Sequence, residues 1–297
     1  MRRFPPALSL PLTLALLASG PVLAQSATST TTTATITTTQ AGAEKPNVRF
    51  IQQFAQDAAI VDKQWYGIEM RFQSGAVPPI EKADGFVVAP TIAISPFPNL
   101  EVGGTAPYIS YDLDSPRPRP GEIEDFDGDS GLSDLTLWGK YRFYNKGGFS
   151  ITAGALLTLP TGSEDDGLGS GNVVPGGFAS VRIKAGDGYF LGTAGIKFNQ
   201  DATVLDSDLN GRNSAFFGGG YIWEAYENWV VSGEVTSESE RYDDSDSAFS
   251  VGSSDFRLSG GIQFLGLAHQ FLRGGLSVGL SDGAPDYELI FGYAYHF

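Results

Sequence analysis

The chain has 297 residues, no cysteine, two histidines and a formal charge of −15 from 19 Lys+Arg against 34 Asp+Glu. The missing cysteines exclude a disulfide frame, thiolate chemistry and a Cys-based zinc site, and the acidic balance makes nucleic acid a poor partner. A hydrophobic share of 41% allows a large apolar surface to be buried, while 38 glycines, about double the usual ~7% share, disfavour long helices.

At the start, Arg2 and Arg3 precede an apolar run from Ala7 to Leu17, Gly20-Pro21 breaks it, and Val22-Leu23-Ala24 supplies small residues. This is the pattern of a secretory signal peptide over 1–24. About 11 apolar residues are too few to cross ~30 Å of hydrocarbon as a helix. Residues 25–47 are rich in Ser, Thr and Ala and cannot build a core, so a disordered linker is expected there. Within 48–62, Phe50, Ile51, Phe54, Ala58 and Val61 recur at helical spacing, with Gln52, Gln53, Gln56 and Asp57 on the other side. That spacing predicts a short amphipathic helix, docked below a barrel or tucked inside it as a plug.

From residue 63 to the C-terminus the period changes to two. Tyr66, Ile68, Met70 and Phe72 alternate with Gly67, Glu69, Arg71 and Gln73; Tyr287, Leu289, Phe291, Tyr293 and Tyr295 alternate with Glu288, Gly292 and His296. About twelve such runs occur over 63–297. The 100–112 run loses its phase near Thr105, so ten or fourteen strands also fit. Alternation gives each strand one apolar and one polar face, which suits a soluble sandwich as well as a membrane barrel. Link lengths separate the two, because long links (74–85, 113–131, 160–172, 200–213, 238–252) alternate with short ones such as Asn145–Gly148 and Gly186–Gly188. Tight turns on one rim and long loops on the other mark an outer-membrane barrel. The predicted fold is an all-β, transmembrane, antiparallel up-and-down barrel behind a short helical segment. Trp65, Phe72, Phe86, Tyr141, Phe143, Trp223, Trp229 and Tyr287, near run ends, are expected to form aromatic girdles.

With Tyr66, Leu135, Leu157, Trp229 and Phe291 facing lipid, the lumen lining is predicted to include Glu69, Arg71, Asp134, Lys140, Arg142, Arg182, Lys184, Glu234, Arg257, Arg273 and Glu288. Leu156, Phe178 and Phe216, with Leu191, Ile222, Val230 and Ile290, fall on the same inward face. Placing Arg or Lys toward lipid at mid-membrane would cost roughly 2–4 kcal/mol each. Lys140, Arg142, Arg182, Lys184 and Arg273 are expected toward the periplasmic end. The long loops are acidic, Asp125 to Asp129 among them, yet an EF-hand would need glycine and a carboxylate where Ser130 and Thr136 stand. No metal, cofactor or catalytic residue is predicted: an outer-membrane hydrolase needs a base beside its nucleophile, and both histidines, His269 and His296, lie on the periplasmic rim, where such enzymes do not place their site.

The C-terminal Tyr293-Ala294-Tyr295-His296-Phe297 resembles the aromatic signal by which the bacterial assembly machinery recognises outer-membrane barrels. Leu159-Pro160-Thr161-Gly162, followed by Gly167-Leu168-Gly169-Ser170-Gly171, resembles the signature loop of the outer-membrane transporters of the meta-pathway of phenol degradation. The resemblance implies a Gram-negative outer-membrane barrel, in contact with lipid and lipopolysaccharide, through which small hydrophobic or aromatic compounds diffuse passively. A general polar or anion porin, and a plugged barrel serving as adhesin or structural element, are the alternatives.

Overall fold

A strand in hydrocarbon must pair every backbone N–H and C=O with another strand, and only a closed ring does so without an edge. The computed structural model describes residues 48–77, 80–81, 83–118, 125–204, 207–243 and 253–297. The expected signal peptide (1–24) and linker (25–47) lie outside the described residues. Twelve antiparallel strands form the ring: β1 (Gln64–Ser74), β2 (Ala83–Phe97), β3 (Leu100–Thr105 continued by Tyr108–Pro118), β4 (Asp125–Leu132 continued by Leu135–Lys146), β5 (Phe149–Leu159), β6 (Val174–Ala185), β7 (Gly188–Lys197), β8 (Ser214–Tyr226), β9 (Trp229–Glu238), β10 (Asp255–Leu267), β11 (Gln270–Gly279) and β12 (Tyr287–His296). Each pairs with its sequence neighbours. The ring closes where β1 meets β12, from Trp65 opposite His296 to Ser74 opposite Tyr287.

The irregularity near Thr105 is a break in pairing with no change of phase. Pro107 has no N–H to give a ladder, and its carbonyl instead accepts Ser133 N at 2.8 Å, while Ala106 N bonds Pro90 O at 3.1 Å. Glu101 before the break and Ile109 and Tyr111 after it are all buried on the inner face.

Five two-residue turns make one rim: Pro98-Asn99, Gly147-Gly148, Gly186-Asp187, Glu227-Asn228 and Ala268-His269. Gly147 and Gly148 both take positive φ (63° and 80°), as a type I′ hairpin requires. Both ends of the barrel sequence, Gln64 and His296, share this turn rim. The long links gather on the opposite, loop rim.

The outer wall carries the apolar side chains. Ile68, Met70, Phe72, Ile92, Leu137, Ile183, Leu258, Ile262, Leu276, Leu289 and Phe291 are all exposed. A continuous apolar belt of this extent belongs against acyl chains, not water. Tyr141, Phe143, Tyr144, Trp223, Tyr226 and Trp229 lie exposed near the turn rim, and Phe72, Phe86 and Tyr287 near the loop rim. Trp65 corrects the expected girdle. It sits one residue out of phase with Tyr66 and is buried inside the barrel.

Residues 48–62 correct a second expectation. They form no helix; Gln52–Gln56 are turns, with one helical-type bond from Asp57 N to Gln53 O at 2.8 Å. The reason is that wall side chains take the backbone groups a helix would pair.

Leu276, exposed midway along β11, gives a direct test of the lipid-facing wall. Leu276→Arg is expected to lower unfolding free energy in vesicles by roughly 2–4 kcal/mol, read by denaturant titration of the folded band.

Candidate functional site

The lumen is built by inward-pointing side chains of the strands closing around residues 48–61. Seven carbonyls of this segment accept side-chain donors. Arg182 Nη1 bonds Val48 O (3.2 Å), Gln263 Nε2 bonds Arg49 O (2.8 Å) and Arg273 Nη2 bonds Phe50 O (2.8 Å). Ser180 Oγ donates to Gln56 O (2.5 Å), Lys140 Nζ to Asp57 O (2.6 Å) and Thr152 Oγ1 to Ala58 O (2.8 Å). Phe54 O is held by the segment's own Arg49 (3.2 Å). In the other direction, the Ile51 and Gln52 amides donate to the two oxygens of Glu234 (2.7 and 2.9 Å), and the Val61 amide to Glu101 (2.8 Å).

Two buried charge centres lock the segment to the turn half of the barrel. Glu101 receives both terminal nitrogens of Arg49 (3.0 and 2.5 Å), Trp138 Nε1 (3.1 Å) and Lys140 Nζ (3.2 Å). Asp57 receives Arg182 Nη1 (3.0 Å) and the Ala59 amide (2.9 Å). Burial opposes ionisation of Asp57, yet Arg182, Arg49 and Lys140 together hold its carboxyl below the usual carboxylate range. Apolar contacts complete the seat. Phe50, Val48 and Ala58 pack on Leu191, Ile222 and Val230, and Val61 joins Trp65, Trp138, Leu156, Phe178, Phe216 and Phe271.

Toward the loop rim the lumen opens into a chamber of about 300 Å³. Its wall includes Phe54, Trp65, Trp138, Leu156 and Val174, and a ladder of threonines, Thr91, Thr105, Thr136 and Thr158, that stand opposite one another on β2 to β5. Thr91 and Thr105 hydroxyls bond each other at 2.8 Å. A second space of about 260 Å³ shares Gln52, Gln56, Arg71 and Lys197 with the first and is the polar side, with Thr193, Thr236, Asp255 and Arg257. Its cations are paired: Arg71 with Glu69 and Glu288, Arg257 with Asp255, and Lys197 with Glu238 (2.8 Å).

Loops fold over the mouth. Leu168, Val204, Leu209 and Tyr242 form a buried apolar cluster with Val77, Ala83, Ile109 and Tyr111. Asp134, on the inward parity, ties down the glycine-rich loop: it accepts Gly162 N (3.1 Å), Ser170 N (2.8 Å) and Ser170 Oγ (2.9 Å). Arg142 donates to Asn99 Oδ1 (3.2 Å) at a turn, and Lys184 is exposed at the turn rim near the Tyr189 ring. Glu69, Arg71, Lys140, Arg182, Glu234, Arg257, Arg273 and Glu288 point inward, as do Leu156, Phe178 and Phe216. Glu101, Trp138, Arg49 and Asp57 complete the site and are missing from the sequence-derived set. For Glu101 and Trp138 the signal exists, since they keep step with Gly103 and Lys140.

Neither protein-family models nor curated protein sequences match this chain. Among solved structures, it resembles an outer membrane channel from Pseudomonas putida F1, with a TM-score of 0.61 at 13% identity over 82% of this chain and 98% of the other. The NanC porin aligns with a TM-score of 0.51 at 8% identity, covering 78% of this chain and all (100%) of that one. These likenesses establish a shared barrel fold.

Glu101→Ala removes the carboxylate that Arg49 and Lys140 both contact directly. Breaking one partner of such a buried set costs about 3–5 kcal/mol, so limited proteolysis should cut within 48–61 in the variant and spare the native protein. Asp57 adds a pH dependence. Its lowered folded pKa supplies stability that is complete above the ordinary value of 3.8 and lost as pH falls through the lower folded value. Protease protection of the segment should therefore hold down to pH 3.8 and fail only in stronger acid.

Proposed function

We propose that this protein is an outer-membrane channel for passive passage of small hydrophobic or aromatic molecules, exported by its N-terminal signal and seated in lipid and lipopolysaccharide with the turn rim facing the periplasm. The Tyr293–Phe297 end is the handle for the barrel-assembly machinery. One observation carries the cargo class: the chamber is walled on one side by rings and methyl groups and on the other by charges already neutralised in pairs. Such a surface takes an apolar solute without leaving it beside an uncompensated charge, and gives a free ion little to bind. The barrel fold shared with the Pseudomonas putida outer membrane channel supports the transport reading.

The seated segment and the loop cluster favour a second reading, a closed barrel of structural role. Reconstitution separates the two. In vesicles bearing lipopolysaccharide, the full-length protein is expected to speed entry of a small aromatic solute while passing little ionic current in planar bilayers. Deleting 48–61 should open a steady ionic current. Entry no faster than through protein-free vesicles would overturn the channel and favour the closed barrel.

A further inference from the structure

Phe54 occupies an unusual position for a side chain of a pinned segment. Its ring lies 4.3 Å from the Trp65 ring, tilted 36°, and 6.1 Å from Trp138, nearly edge-on at 78°. The Arg49 guanidinium stands 4.8 Å from its centroid and that of Arg273 5.7 Å. Both arginines are held by other partners, Arg49 by Glu101 and Arg273 by the Phe50 carbonyl, so the cage keeps its shape independently of Phe54. All of its members except Arg49 line the chamber.

The anchors to the wall fall on either side of Phe54 and not on it. Ile51 and Gln52 are fixed to Glu234, and Gln56 and Asp57 to Ser180 and Lys140, whereas the Phe54 carbonyl is held by Arg49 of the same segment. Rotation of the ring away from the tryptophans would break none of these anchors.

We propose that Trp65 and Trp138, with Arg273, form a binding site for one flat aromatic ring, and that Phe54 is its resident occupant, displaced when a solute ring enters from the chamber. The assignment rests on the channel reading above and narrows its cargo from apolar to aromatic. Ring faces and edges contribute contact energy that a saturated ring of equal size cannot match, and a guanidinium over the ring favours aromatic character further.

The chain has four tryptophans, of which Trp223 and Trp229 are exposed on the outer wall. Trp223→Phe with Trp229→Phe leaves Trp65 and Trp138 as the only indole emitters in the full-length, reconstituted protein. Bromobenzene should quench this emission saturably, and in Phe54→Ala at roughly tenfold lower concentration, the equivalent of one aromatic pair. Phe54→Leu, which keeps apolar bulk should the alanine variant fold poorly, should shift in the same direction. Bromocyclohexane should not saturate, nor respond to either variant. Equal behaviour of the two bromides, or quenching indifferent to Phe54, overturns the proposal, even if aromatic solutes enter vesicles. Saturable, Phe54-sensitive quenching without faster entry keeps the site and removes the channel.

Discussion

The whole molecule answers to one requirement: no backbone donor or acceptor can be left unpaired where water is absent. The seam between the first and last strands satisfies it on the outside, running ten residue pairs from Trp65 opposite His296 to Ser74 opposite Tyr287. Where the ladder breaks, at Ala106-Pro107, neighbouring strands supply the missing partners through Pro90 and Ser133. The same requirement governs the interior. The 48–61 segment lacks strand or helix pairing, so the barrel's own side chains serve as partners for much of its backbone, on either side of Phe54.

That arrangement explains the chemistry of the lumen. Among the described residues, Arg49, Arg71, Lys140, Arg182, Lys197, Arg257 and Arg273 meet Asp57, Glu69, Glu101, Glu234, Glu238, Asp255 and Glu288, with each group engaged by an opposite charge or a backbone group. Buried ion pairs contribute little net stability against apolar packing, because desolvation offsets their attraction. Their effect here is positional. A shift of the segment by one residue would leave Arg49 away from Glu101 and Asp57 away from Arg182, so the pairs define where it sits, and the apolar contacts of Phe50 and Val61 supply the burial that holds it.

Much of the wall was legible from the residues alone. Alternation from Tyr66 to Phe72 or from Tyr287 to Tyr295 assigns each side chain to a face, because a strand has only two. Inward positions of apolar residues such as Leu156, Ile222 and Ile290 follow from that parity. What failed was the use of one rule across a boundary between two environments. Trp65 was grouped with surface aromatics by its place near a strand end, although parity points it inward. Asp134 keeps its inward parity and stands at a strand break, where the Gly162–Ser170 loop is within reach of its carboxylate. Helical spacing in 48–62 described which side chains would be buried apolar groups without revealing that barrel side chains outcompete helix hydrogen bonds.

By itself, then, the order of amino acids determined the two faces, the rim of tight turns and the rim of long loops, since each depends on neighbours two to twenty positions apart, and it left the count at ten, twelve or fourteen strands until the pairing across Thr105 decided for twelve. Only the folded barrel decided what fills it. Arg49 and Glu101 are fifty-two positions apart, Gln52 and Glu288 two hundred and thirty-six. Whether such residues meet depends on ring closure and on the height of each side chain along the lumen, and no local pattern carries that information.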